Sequence, residues 1–526
     1  MATPLTRRSE FGSRLSGLSE LGSRLSADTE PKRLEARAVS HVFSFLALLI
    51  ALALLAPTAA DADLWGQLTY GRDIARHAWV HTTDPYSFTS DRPWINHEWL
   101  SVLIFWAVYA VAGAPGLVTL KLLVACAIGF CVLTVWERYT LSPKWRDALL
   151  FITAWGLWPL FSTIRPQVFS LGLLAALLLI LERFRERQQR TLFLLPLLFV
   201  LWVNLHGGWL VGAGVLVLFV LCTLFDRNTN RQSRLLLIAA AAASAAGTLI
   251  NPYGLQMLTF LFQTVRLDRA DIVEWQPVTQ LPPVVLVLWC VPTLIALGAV
   301  WRGRRDVPLF SILTIAMLGI ASFRVARLGG FYALSVGMLL APYLKASATP
   351  LRTFREIRIW RPAAVCTLAV TLVVACFGRQ ITMDGAWLPE RAATEFVKTH
   401  GLTGRMLTWF NYGQYAIWHF SPAIQVSMDG RREAIYSDDL RALHWRIYRN
   451  EPTALADVAR LDPDYIWLPA NFPVVTRLQN AGWHPLFTGS RSTLLGKRTV
   501  GMQTRVNTTA CGSSSPCSRA SYFPGP

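Results

Sequence analysis

Long apolar segments alternate with short polar ones along most of the chain. The first apolar run, residues 41–60, is long enough to cross the hydrocarbon core of a bilayer. Eleven further apolar segments follow, at roughly 99–112, 117–136, 147–161, 168–182, 192–206, 208–225, 235–250, 283–300, 307–322, 328–344 and 362–379. The pattern predicts an α-helical polytopic membrane protein with about 11 to 13 transmembrane helices.

Residues 1–40, which precede the first apolar run, are polar and contain the short repeat SEFGSRLS and SELGSRLS. We expect a disordered cytoplasmic arm there. Small residues crowd positions 56–60, so a cleaved signal peptide is an alternative interpretation of the first run. The long arm and the many later segments favour an uncleaved first helix.

Charge and composition agree with a membrane protein. Of the 526 residues, 53% are hydrophobic and only 16% charged, and the mean hydropathy is +0.38. The net charge of +18 does not indicate nucleic-acid binding, because the arginines form short runs between apolar segments. These runs lie at 183–190, 226–234, 302–305 and 345–361. Such runs are typical of cytoplasmic loops.

This assignment places the loops 61–98 and 251–282, and everything after residue 379, on the extracytoplasmic side. A simple count of spans then conflicts with it between residues 99 and 183. Either one short segment, 99–112 or 147–161, is re-entrant or interfacial, or a span has been divided at the wrong place, and the sequence leaves that choice open.

The composition changes after the last apolar segment. Residues 381–498 carry ordinary charge, and short apolar runs such as YIWLPA alternate with helical stretches such as PERAATEFVKTHG. We expect an extracytoplasmic α/β domain after a transmembrane domain at 41–380. Residues 499–526 have low complexity and predict a disordered tail.

Polar residues that suit chemistry collect on the predicted outer side. The candidates are Asp61, Asp63, His97, Glu98, Arg165, Gln167, Asn204, His206, Glu274, Arg324 and Arg327. Arginine favours phosphate, and a carboxylate near an apolar wall suits a general base. Carboxylates also suit a divalent cation such as Mg²⁺ or Mn²⁺, with Asp63 and Glu98 as candidate ligands.

Structural interpretations compete with these roles. Asp84 precedes a proline and is typical of a turn, and Asp73 is typical of a solvated helix face. His97 with Glu98, and His206 beside two glycines, suit packing as well as binding.

Several motifs, in this order, resemble a bacterial branch of the GT-C membrane glycosyltransferases that is related to the dolichyl-phosphate-mannose-protein mannosyltransferases. The motifs are DADLW, GRDI and DPYSFTSDRPWINHEWL, then RPQ, WVNLHGG, NPYG and EW, and finally NYGQYAIWHFSPAIQVSMDGRREAIY. The resemblance covers residues 41–498. Gly66 and Gln67 stand where the branch usually has Trp-His, which is a departure at a candidate binding position.

The resemblance implies transfer of a sugar from a polyprenyl-phosphate donor to a glycan, lipid or protein acceptor, at the outer face of a bacterial cytoplasmic membrane. Asp63 would be the base or a metal ligand beside it, with Asp61 as the next candidate. Arg165 and Arg327 would stabilise the leaving phosphate. The C-terminal domain would cover the cleft.

Two other functions remain open from the sequence. A transporter or flippase for a lipid-linked sugar would use the same arginines without a base. A non-catalytic scaffold of polysaccharide assembly would need neither. The sequence shows no internal repeat of the kind common in transporters, which favours the enzyme.

Overall fold

The computed structural model describes residues 45–136, 139, 141, 143–265, 272–304, 306–344, 360–376, 380–383, 387–497 and 522–525. The predicted polar arm at 1–40 lies outside the described residues, as do most of the basic run 345–361 and most of the predicted tail.

Helices make up the first part of the chain. They are α1 (Phe45–Leu55), α2 (Ala62–His77), α3 (Trp99–Trp136), α4 (Pro143–Phe161), α5 (Gln167–Arg185), α6 (Leu194–Leu205), α7 (Trp209–Phe225), α8 (Arg231–Gly247), α9 (Leu255–Val265), α10 (Pro283–Gly303), α11 (Leu309–Arg324), α12 (Gly329–Leu339) and α13 (Trp360–Cys376). Among the described helices, α3, α5 and α10 are long and apolar enough to cross a membrane by length and composition. Most of the predicted apolar segments therefore form the expected helices.

Helix α3 includes the two predicted apolar segments 99–112 and 117–136 and bends between them. Gly113 has φ 61°, a left-handed conformation that glycine adopts without strain, and Pro115 follows it. Before the bend, the Val102 carbonyl lies against Gly71 of α2, and Trp106 contacts Trp418 of the C-terminal domain. The first half of α3 is thus held beside α2 and the C-terminal domain.

The contacts of Lys121 show where in the bundle the second half of α3 begins. Its ammonium donates to Thr58 Oγ1 and to the Phe161 carbonyl, both at 2.6 Å. Thr58 lies just after α1, and Phe161 is the last residue of α4. After the bend, the chain therefore still lies at the end of the bundle where α1 and α4 finish. We refer to this end of the bundle as the site end.

Helix α4 runs the whole length of its neighbour α12. Gly337 and Thr153 are in contact at one end of the pair, and Gly330 and Leu160 at the other. Segment 147–161 therefore packs as a full helix, and 99–112 is the segment that stays at the site end. This choice removes the conflict in the predicted order of spans.

Two helices lie inside the segments that the sequence analysis placed between predicted spans. Helix α2 occupies the first part of 61–98, and α9 lies within 251–282. Neither helix has the long apolar run that identifies a span.

The C-terminal domain contains the predicted mixture of helices and strands. Its elements are α14 (Arg391–Thr399), β1 (Gly404–Thr408), α15 (Gly413–Phe420), β2 (Ile424–Val426), α16 (Asp438–Tyr448), α17 (Ala454–Leu461), β3 (Tyr465–Pro469), α18 (Pro473–Asn480), β4 (His484–Thr488) and β5 (Ser492–Gly496). The sheet order is β2-β1-β3-β5-β4, with β1 parallel to β2 and β3, and β5 antiparallel to β3 and β4.

The sheet edge connects this domain to the loop after α2. The Tyr86 carbonyl accepts from Val426 N at 3.0 Å, and Phe88 N donates to the Val426 carbonyl at 3.2 Å. Residues 86–88 thereby extend the edge at β2. The four described residues of the predicted tail also pack at the site end, where Phe523 is buried against Trp65.

Candidate active site

The N-terminus of α2 presents the two acids that follow the first apolar run. Asp61 is the N-cap, and its Oδ1 accepts from Asp63 N at 2.9 Å. Asp63 lies in the first turn, where the helix dipole favours a negative charge. Cap formation therefore orients the Asp61 carboxylate and places Asp63 beside it in the first turn.

Arg165 and Arg327 meet the acids in a cluster that we call the rim cluster (Asp61, Arg165, Glu274 and Arg327). Arg165 Nε donates to Asp61 Oδ2 at 2.9 Å, and its Nη1 donates to both Glu274 oxygens at 2.8 and 2.7 Å. Arg327 Nη1 donates to Glu274 Oε1 at 2.6 Å. The structure thus brings together four candidates that are far apart in sequence.

A cavity of about 500 Å³ opens beside this cluster. Arg165, Glu274 and Arg327 line it on one side, and its walls are largely apolar, with Leu288 and Trp289 among them. Apolar walls beneath a pair of guanidiniums suit a ligand with an apolar chain and an anionic head.

Gln167 also lines this cavity. Its side chain is buried, and Oε1 has no hydrogen-bond partner among the described residues. A buried acceptor without a hydrogen bond is destabilising unless water or a ligand supplies a donor. Gln167 therefore stays a binding candidate.

A second group of candidates surrounds Glu98. Glu98 Oε1 lies 3.6 Å from His97 Nε2 and 3.5 Å from His206 Nε2. Gly208 N donates to His206 Nδ1 at 2.9 Å, so a neutral His206 ring carries its proton on Nε2, towards Glu98.

Two candidates are placed apart from the rim cluster. Asn204 Oδ1 accepts a hydrogen bond from Trp99 Nε1 at 2.8 Å, and its Nδ2 donates to the carbonyls of Val200 and Ile250. These bonds use its amide to join three segments. Arg324 ends α11 with an exposed side chain, and no described hydrogen bond or ion pair links it to the cluster.

The C-terminal domain supplies a contact to Asp63 that sequence reasoning missed. Gln414 Nε2, in the first turn of α15, donates to Asp63 Oδ1 at 3.0 Å. The approach needs glycine on both sides, because a Cβ at Gly430 would lie 1.9 Å from Asp63 Oδ1, and one at Gly66 would lie 2.1 Å from Gln414 Oε1. Gly66, part of the departure from the GT-C pattern, thus makes room for Gln414.

Gln67, the other half of that departure, is buried in α2. Its Oε1 has no hydrogen-bond partner among the described residues. Nothing in these contacts links it to Asp63.

Asp63 is perturbed by these surroundings. Burial raises the pKa of Asp63 well above its ordinary value, the Asp61 carboxylate raises it further, and the Arg165 guanidinium acts in the opposite direction. A carboxyl group with a raised pKa is a better proton acceptor once it is ionised. The environment therefore suits the predicted role as base.

Arg431 forms a second arginine–carboxylate cluster, which we call the Arg431 triad (Asp84, Arg431 and Asp429). Arg431 donates to Asp84 Oδ1 at 2.6 Å and to Asp429 Oδ2 at 2.6 Å. The guanidinium also lies over the rings of Tyr70 and Trp94. This triad joins the loop after α2 to the C-terminal domain.

The predicted structural role of Asp84 is present here as well. Its carboxylate accepts from Tyr86 N at 3.0 Å and Ser87 N at 3.1 Å, which is a turn-forming arrangement. Asp73 is only partly exposed and accepts from the Tyr86 hydroxyl at 2.5 Å, so it is less solvated than its position on α2 suggested.

The predicted cation ligands do not form a ready-made site. Asp63 Oδ1 is engaged by Gln414, and Glu98 faces the two histidines. Among the described residues, no group of three His, Cys, Asp or Glu side chains is placed to hold a metal ion. A cation requirement stays a prediction.

Comparisons with known proteins identify the fold. No protein-family model matches the sequence, and no curated protein matches it. Two solved structures do resemble it, each with 11% sequence identity over 89% of this chain. The archaeal oligosaccharyltransferase AglB from Archaeoglobus fulgidus, in complex with an inhibitory peptide and a dolichol-phosphate, has a TM-score of 0.51 and is covered over 75% of its chain. ArnT from Cupriavidus metallidurans, bound to undecaprenyl phosphate, has a TM-score of 0.50 and is covered over 98%.

These likenesses show a fold. The chain shares the overall fold of these two solved structures. As the sequence predicted, it is mostly helical, with long apolar helices and a small C-terminal sheet domain. At this level of identity, the activity has to be argued from the site.

Proposed function

We propose that this protein is a membrane glycosyltransferase that moves a sugar from a polyprenyl-phosphate donor to an acceptor hydroxyl. One arrangement carries the proposal: Arg165 and Arg327 line an apolar cavity, and Asp61 connects Arg165 to the helix turn that holds Asp63. This arrangement combines a site for a lipid phosphate with a nearby proton acceptor.

Donor binding follows from the two parts of the cavity. The apolar walls take part of the prenyl chain, which leaves water as it binds. The guanidiniums of Arg165 and Arg327 bind the phosphate through charge-assisted hydrogen bonds. That ArnT was solved with undecaprenyl phosphate supports this class of donor.

The transfer step uses Asp63 as general base. The acceptor hydroxyl gives its proton to the carboxylate, and its oxygen forms the new bond to C1 of the sugar. The bond between C1 and the phosphate oxygen breaks, and its electron pair stays on the phosphate. Arg165 and Arg327 stabilise the charge that grows there.

We further propose that the site end faces the extracytoplasmic side of a bacterial cytoplasmic membrane. The basic run 183–190 and the run 226–234 follow α5 and α7 at the opposite end of the bundle. Positive charge concentrates on cytoplasmic loops, which supports an outside position for the rim cluster and the C-terminal domain. The acceptor is then an envelope glycan, lipid or protein.

The test uses the full chain in lipid nanodiscs with a panel of polyprenyl-phosphate sugars carrying labelled sugar, and envelope fractions as the acceptor. Asp63→Asn should abolish transfer while thermal unfolding stays cooperative. The exposed Asp462→Asn, in the C-terminal domain, is the control and should transfer normally. Full transfer by Asp63→Asn would exclude this residue as the base.

The alternatives give different results in the same preparation. Movement of lipid-linked sugar across vesicles without transfer to any acceptor would indicate a transporter. Inactivity of the wild type in both assays would favour a scaffold. A parallel assay with EDTA tests the predicted divalent cation.

A further inference from the structure

Glu274 occupies the place that a phosphate would take between the two arginines. Its Oε1 accepts from Arg165 Nη1 at 2.8 Å and from Arg327 Nη1 at 2.6 Å, and Oε2 accepts from Arg165 Nη1 at 2.7 Å. The side chain is 34% exposed at the cavity, compared with 20% for Arg165 and 26% for Arg327. It is the most accessible of these three groups.

The backbone around Glu274 is attached to the same arginine-bearing segment. The 3₁₀ turn Val273–Trp275 is followed by Gln276, whose carbonyl accepts from Ala326 N at 3.2 Å. Arg327 also lies over the ring of Trp275, 5.9 Å from its centroid. The turn keeps Glu274 within reach of both guanidiniums, so its carboxylate is released by side-chain rotation.

The charges in the rim cluster balance. Asp61 and Glu274 offset Arg165 and Arg327, which leaves little net attraction for an incoming anion. A phosphate that binds the arginines must displace the Glu274 carboxylate or share the guanidiniums with it. A more negative phosphate is repelled more strongly by a carboxylate that remains close.

We propose that Glu274 is a specificity-determining residue, whose carboxylate competes for the two arginines and disfavours the spent lipid phosphate relative to the donor. This inference rests on the proposed function. The donor is a phosphodiester with one negative charge. Transfer leaves a monoester, which carries nearly two at neutral pH, as other phosphomonoesters do. Glu274 therefore promotes release of the product carrier.

Equilibrium binding tests this without any transfer reaction. The full chain in nanodiscs is titrated with farnesyl phosphate, its methyl phosphodiester and farnesol, for the wild type and for Glu274→Gln. Glu274→Ala is the second charge-removing variant. The exposed Glu395→Gln, from an Arg391 pair in the C-terminal domain, is the matched control.

We expect Glu274→Gln and Glu274→Ala to bind farnesyl phosphate more tightly, on the order of tenfold, because one nearby negative charge is removed. The affinity for the diester should increase less, and the affinity for farnesol should not change. Glu395→Gln should match the wild type for all three ligands.

Unchanged or weaker binding of farnesyl phosphate by both variants would overturn the proposal, because Glu274 would then support the arginines. An equal gain for monoester and diester would overturn the discrimination. These results stand apart from the proposed function, which fails if the wild type transfers no sugar.

Discussion

Two arginine–carboxylate clusters lie along α2 and differ in what surrounds them. In the Arg431 triad, the arginine side chain is 6% exposed and both carboxylates are fully buried. In the rim cluster, the exposed fractions of the side chains run from 11% to 34%, and three of the four line a cavity. The first is enclosed by protein, and the second is open to a ligand.

Under the proposed function, the same residue types serve structure in one place and binding in another. The guanidinium of Arg431 donates hydrogen bonds to two carboxylates and is covered by aromatic rings, so no face of it is left for a substrate. Arg165 and Arg327 share Glu274, whose side chain is 34% exposed at the cavity. Accessibility, more than pairing, separates the two roles.

Breaking the Arg431 triad should give the largest effect on stability. Arg431→Met leaves two buried carboxylates without their cationic partner and should cost about 3–5 kcal/mol in the free energy of unfolding. Thermal unfolding of the detergent-solubilised protein measures this. Arg391→Met, which breaks an exposed pair, should cost no more than about 0.5 kcal/mol. Unfolding of Arg431→Met at the wild-type temperature would contradict the structural role.

The matching change in the rim cluster should affect activity. Arg165→Met should lower sugar transfer by roughly 10²–10³, as removal of a group that stabilises transition-state charge does. Its unfolding temperature should change less than that of Arg431→Met, because Asp61 and Glu274 retain access to water. If Arg165→Met unfolded as readily as Arg431→Met, the two clusters would not differ in function as we infer.

The sequence predicted one side of the membrane for all members of the rim cluster, and the structure brings these residues into contact. Arg165, Glu274 and Arg327 each follow or precede an apolar helix, and the basic loops fix which ends lie together. The pattern could not predict which outer residues touch. Asn204 and Arg324 met the same criterion, but the structure places them outside the cluster.

The contacts of the C-terminal domain were beyond the reach of the pattern. Gln414 and Asp63 are separated by 351 positions, and their contact depends on how two domains dock. Arg431 appears in a motif that resembled GT-C proteins, yet nothing local shows that its partner is Asp84. The glycines at 66 and 430 were the available signal, since they mark close approach without naming the partner.

The ionisation of Asp63 distinguishes a base from a structural acid. Its pKa is raised in the folded protein, chiefly by burial, so folding favours the protonated form. The stability that the protonated carboxyl contributes is fully present below the pKa that Asp63 has in the unfolded chain. It is lost as the pH rises through the pKa that Asp63 has in the folded protein. Asp63→Asn should therefore gain stability over the wild type as the pH increases. Unfolding temperatures of both proteins from acid to neutral pH measure this, and a constant difference would contradict the shift.

Gln414 links the C-terminal domain to Asp63 of α2. Removing its amide should have the smallest effect of the four mutational predictions. Gln414→Met keeps the side-chain size but loses the donor to Asp63 Oδ1, at a cost of about 0.5–1.5 kcal/mol in stability. The remaining carboxylate is harder to ionise without that donor, so the acid limb of the transfer rate should move to higher pH. Gln425→Met removes a longer, exposed contact to the Pro85 carbonyl and should leave the profile unchanged. A Gln414→Met enzyme with lower stability and an unshifted acid limb would show that Gln414 only joins the domains and does not position the base.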